Sequence, residues 1–143
     1  MRKVTAAADR FRQAQGLPAV LDAACDAFEA ILTVIGDYED ATSTGAAITF
    51  LLVATQAANG RDAVLFAPSL PPRALHPTAA AGERHSPEST SAISSSVAEL
   101  SELLATGLAR AAATVANGAD RAACRDAAAC AARIGDMLAG AGP

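Results

Sequence analysis

A chain of 143 residues has the size of one domain and is long enough to bury a core. Of its residues 52% are apolar, but 39 are alanine and only 3% are aromatic, so helix propensity is high, large side chains are few, and strand-type alternation is absent over any useful length. A net charge of -4 and a pI of about 5.0 exclude the broad basic face that nucleic-acid binding needs; only Arg2, Lys3, Arg10 and Arg12 form a short basic cluster.

Residues 4–15 read as a short amphipathic helix with Val4, Ala8 and Phe11 on one face, stopped by Gly16. Pro18 then suits the first turn of a second helix over 18–40. In it Leu21, Cys25, Phe28, Leu32 and Ile35 recur at spacings of 4, 3, 4 and 3, the seam of a helix facing a partner. Gly36 either ends this helix or is tolerated inside it. The acidic run that follows suits a helix start, because the helix dipole is positive there, and leans toward a break.

Residues 44–58 are apolar almost all round (Ile48, Phe50, Leu51, Leu52, Val53), which predicts a central helix, with Asn59-Gly60 as its stop. Residues 68–86 hold Pro68, Pro71, Pro72 and Pro77 and form a long irregular linker. Fully extended it spans about 60 Å, enough to return the chain along a whole bundle, so it leaves the topology open. Ser86-Pro87 reads as the start of a helix over 88–116, with a seam of Ile93, Val97, Leu100, Leu104, Gly107, Ala111 and Thr114. Asn117-Gly118 stops it, and Asp120 can cap a last helix over 120–139 whose seam is mostly small: Ala123, Ala127, Cys130, Ile134 and Met137. The short connection makes these two helices an antiparallel hairpin. The fold class is all-α: a four-helix-bundle-like domain spanning 1–143, with a short additional N-terminal helix and a Pro-rich crossover linker.

Between Asp22 and Asp40 there are six carboxylates and no basic residue. Asp22, Asp26 and Glu29 share one helical face, and Asp37, Tyr38, Glu39 and Asp40 cluster at the helix boundary. As a functional feature this is a docking surface for a basic partner; as a structural one it is a solvated face with Arg10 and Arg12 as internal partners. The only histidines, His76 and His85, lie in the linker, which excludes a di-iron or haem centre built on helical histidines. Cys25, Cys124 and Cys130 read as small core residues, and no phosphate loop, nucleophile elbow or zinc-protease motif is present. No metal or cofactor is expected. The odd cysteine number, the interrupted apolar stretch after Lys3 and the thirteen-residue limit of the longest apolar run (46–58) point to a cytoplasmic protein without a membrane span.

Two functions fit. One is a non-enzymatic interaction or oligomerisation module, a dimer or a docker onto a basic partner. The other is a binder of apolar small molecules, with Phe28, Ile48, Phe50 and Leu52 lining a pocket and residues 68–86 as its lid.

Overall fold

A computed structural model describes residues 2–38, 44–73 and 90–140. Five helices and no strand are found among them: α1 (Arg2–Gln13), α2 (Leu17–Tyr38), α3 (Thr44–Leu65), α4 (Thr90–Thr114) and α5 (Gly118–Gly140). The Ser86-Pro87 start, His76, His85, most of the linker, Glu39 and Asp40 lie outside the described residues.

Local chemistry explains most of the boundaries. Gly16 adopts a φ of 85°, a left-handed conformation that glycine takes without a Cβ penalty, and it turns the chain from α1 into α2. Asn117 caps α5: its side-chain oxygen accepts from the backbone N–H groups of Ala119 (2.9 Å) and Asp120 (3.0 Å). The cap is therefore Asn117 and not Asp120, which serves another purpose described below. Arg121 reaches back to donate to the Val115 carbonyl at 3.0 Å, satisfying the end of α4.

One expected break is absent, and the open question at Gly36 is settled in favour of a continuous helix. α2 runs through Gly36 to Tyr38, and α3 runs through Asn59-Gly60 to Leu65. Gly60 is buried against Phe28, and a Cβ placed there would lie 2.5 Å from Cε1 and Cζ of that ring. The residue marks a close helix crossing and not a helix end.

The packing order closes the bundle. α2 packs on α3, α3 on α5, α5 most extensively on α4, and α4 more lightly on α2. α2 and α5 face each other across one diagonal, α3 and α4 across the other. α1 lies against both α2 and α4 and fills part of the groove between them, burying Val4, Ala7 and Phe11. Just past α3, Ser69 bonds to Asp120 at the start of α5, so these two helices are antiparallel. α3 therefore ends where α5 begins, α4 starts at the far end on the opposite diagonal position, and α3 and α4 run parallel, as in single-crossover bundles.

The core holds Leu21, Phe28, Ile31 and Ile35 of α2, Phe50, Val53 and Val64 of α3, Ile93, Leu100, Leu104 and Leu108 of α4, and Ile134 of α5, all below 2% exposed. Each such side chain contributes roughly 1.5–3 kcal/mol of burial. The alanine seam of α5 is spent inside the bundle: Ala123, Ala127 and Ala131 are buried, which lets α5 approach α4 and α3 closely.

Candidate functional site

The acidic face finds its counter-charges within the chain. Asp22 and Asp26, on successive turns of α2, are both paired with Arg10 of α1 and with Arg73 of the irregular segment. Arg10 meets Asp22 at 2.7 Å, and Arg73 also donates to the Asp22 backbone carbonyl at 3.0 Å and approaches Glu29 at 3.9 Å. Arg12 turns instead to Asp9 at 3.1 Å. Of the residues grouped on the acidic surface, Asp22, Asp26 and Glu29 are thus brought together, but around two internal arginines. Asp37 lies at the other end of α2, and the side chain of Tyr38 is outside the described residues.

Arg73 is one end of a strap. At the other end Ser69 donates its backbone N–H (3.0 Å) and its hydroxyl (2.6 Å) to the carboxylate of Asp120, which is 2% exposed. The segment from Pro68 to Arg73 is therefore tied to α5 at Ser69 and to α2 at Arg73. Neither latch was singled out from the sequence, in which Arg61 is the first basic residue after the acidic stretch and Arg73 only the second.

The apolar residues at 28, 48, 50 and 52 do not enclose a common space. Phe28 and Phe50 are fully buried, whereas Ile48 is 57% and Leu52 49% exposed. α3 is not the central helix that its composition predicts. Its inner face is Phe50, Val53, Ala57, Gly60 and Val64, a 3-4-3-4 seam. The opposite face carries Ile48, Leu51 and Leu52 near one end and Leu65 and Phe66 at the other, with Phe66 85% exposed. These are two apolar clusters parted by Thr55 and Asn59, and exposed apolar patches mark interaction sites in soluble proteins. The charge on this face, Asp62, is paired with Arg61 on its flank at 3.3 Å.

The cysteines are structural. All three are buried and unpaired. Burial pushes the Cys25 thiol from the ordinary 9.0 up to about 11; Arg73 opposes the rise and Glu29 adds to it. Burial likewise raises Cys124, helped by Asp120, and Cys130, against the pull of Arg133. Folded protein at about pH 8 should resist alkylation by iodoacetamide and react at all three thiols once unfolded, because the thiolate is the nucleophile. Rapid labelling of Cys25 in the folded state, read by peptide mass, would contradict this. The linkage sign follows: Cys25 holds its proton more tightly when folded, so its contribution to stability is whole below 9.0 and lost as pH rises through about 11.

Among the described residues, no group of three or more His, Cys, Asp or Glu is placed to hold a metal ion, and no helix is long and apolar enough to cross a membrane. Comparison with protein-family profiles, curated proteins and solved structures finds no match to this chain.

Proposed function

We propose that this chain is a non-enzymatic self-associating module in which a second copy covers the outer face of α3. The observation that carries the reading is the exposed row of Ile48, Leu51, Leu52, Leu65 and Phe66. The row suits a second copy in particular. Its two ends are apolar and its middle, Thr55 and Asn59, is polar. In an antiparallel pair the Ile48–Leu52 end of each copy meets the Leu65–Phe66 end of the other, polar middle meets polar middle, and the two helix dipoles oppose. The internal Arg61–Asp62 pair leaves the face without net charge, so two chains of charge -4 can approach there. Phe66 is the natural anchor, since aromatic side chains are enriched at interfaces. A basic-surfaced partner at the acidic face is the weaker reading, because Arg10 and Arg73 already occupy Asp22 and Asp26. Three unpaired cysteines favour a reducing compartment, and we infer the cytoplasm.

Light scattering coupled to size exclusion tests this. The expected mass is twice 14.3 kDa, and the variant Leu52→Glu/Phe66→Glu should run as a monomer with an unchanged helical circular-dichroism spectrum. Both positions are exposed, so the fold should tolerate the charges. A parent chain that stays monomeric at about 100 μM, or a variant that keeps the parent's mass, would overturn the reading.

A further inference from the structure

A groove lies away from α3, among α1, the Gly16 turn, the start of α2 and the C-terminal half of α4. It exists because α1 has 12 residues against 25 in α4, about 18 Å against about 37 Å, and so cannot fill the whole groove between α2 and α4. Gly107 lets the Phe11 ring lie directly on α4, where a Cβ would stand 2.5 Å from the ring. Beyond that contact α4 runs on for about two turns past the reach of α1. The resulting groove has a volume of about 680 Å³ and walls that include Phe11, Leu17, Val20 and Leu103. That size falls within the range of about 300–1,000 Å³ of small-molecule sites.

The charges at this groove are of one sign. Arg12 and Arg110 line it and no carboxylate does. Arg110 has no ion-pair or hydrogen-bond partner among the described residues, and Arg12 is held only by Asp9, itself exposed. An apolar trough with an available guanidinium, in a chain whose net charge is negative, is complementary to a molecule with a hydrocarbon tail and an anionic head. We propose that this groove binds a single-chain amphiphile with a carboxylate head, its tail along Phe11, Val20 and Leu103 and its carboxylate paired with Arg110. The planar guanidinium fork matches a carboxylate in two parallel hydrogen bonds, which an ammonium-headed amphiphile of the same tail cannot form.

The test is isothermal titration of the full chain with dodecanoate below its micellar concentration. Acetate supplies the head alone, and dodecyltrimethylammonium supplies the tail with the opposite charge. The expected result is saturable dodecanoate binding at one molecule per chain, no binding of acetate, and binding of the cationic amphiphile weaker by tenfold or more. Arg110→Glu, at an exposed position, should weaken dodecanoate on the order of tenfold or more while the melting curve stays put. Leu52→Glu/Phe66→Glu should bind dodecanoate as the parent does, which separates the groove from the α3 face. The proposal is overturned by an absence of saturable binding, by several molecules per chain, by equal binding of the cationic amphiphile, by an unchanged affinity in Arg110→Glu, or by loss of binding in the α3 variant.

Discussion

Replacing Gly60 with leucine is expected to abolish the native bundle, and Gly60→Ala to lower its stability by up to about 2 kcal/mol, the balance of a helix-propensity gain of about 1 kcal/mol and an overpacking cost of about 1–3 kcal/mol. The sign is the informative part, because the same change in an open helix stabilises. At Gly60 the new Cβ would stand 2.5 Å from two ring atoms of Phe28, a side chain with no exposed surface into which it could swing. α2 and α3 would have to separate, and the seam of Phe50, Val53, Ala57 and Val64 would open with them. Leucine adds three further carbons, and a domain of this size commands only about 5–15 kcal/mol in all. Gly36 is the control: it is helical, nothing lies within 4 Å of its missing Cβ, and Gly36→Ala should raise stability by about 0.5–1 kcal/mol. Urea denaturation measures both. Shortening the ring in Phe28→Leu/Gly60→Ala should recover part of the loss, which makes the pair non-additive. If Gly60→Ala stabilises as Gly36→Ala does, the close crossing of α2 and α3 is wrong.

The second large effect is expected at Asp120, where alanine should cost about 2–4 kcal/mol, since each buried hydrogen bond to a charged group is worth about 1.5–3 kcal/mol. Its carboxylate accepts both the N–H and the hydroxyl of Ser69, 51 residues away, in a nearly dry site. It also sits in the first turn of α5, where a negative charge is favoured by the helix dipole. Removing it strands the Ser69 donors and unties the strap at its α5 end. Ser69→Ala should cost less, about 1–3 kcal/mol, because the carboxylate keeps its backbone partner. The double variant should fall short of the sum. Brief trypsin digestion gives a second readout: cleavage after Arg73 should accelerate in Asp120→Ala, as the strap leaves α5 and frays toward its anchor on α2. A variant with parental stability and unchanged cleavage at Arg73 would mean that the latch contributes nothing.

Much of the fold was legible because its causes are local. Alanine content, 4-3 spacing, the Gly16 turn and the Asn117 cap act within a few residues, and they mark five helices to within a turn at most ends. The two Asn-Gly words show where local reading stops. At Asn117-Gly118 the asparagine side chain caps α5, while at Asn59-Gly60 the helix continues, because the reason for that glycine is Phe28 on another helix. Asp22, Asp26 and Glu29 were visible as an acidic face, and Arg10 as one of its partners. Arg73 was not, since nothing short of the folded strap carries a residue 47 positions from Asp26 onto it.

By itself the sequence determined an all-α chain, its helix count and a core drawn from the 4-3 seams, since propensity and periodicity are properties of each segment alone. Only the tertiary structure decided which side of α3 faces outward. A helix that is apolar all round carries no polar stripe to mark its solvent face. The assignment waits on its neighbours: α2 and α5 cover Phe50, Val53, Gly60 and Val64, and among the described residues no third helix packs on α3 to cover Ile48, Leu52 and Phe66.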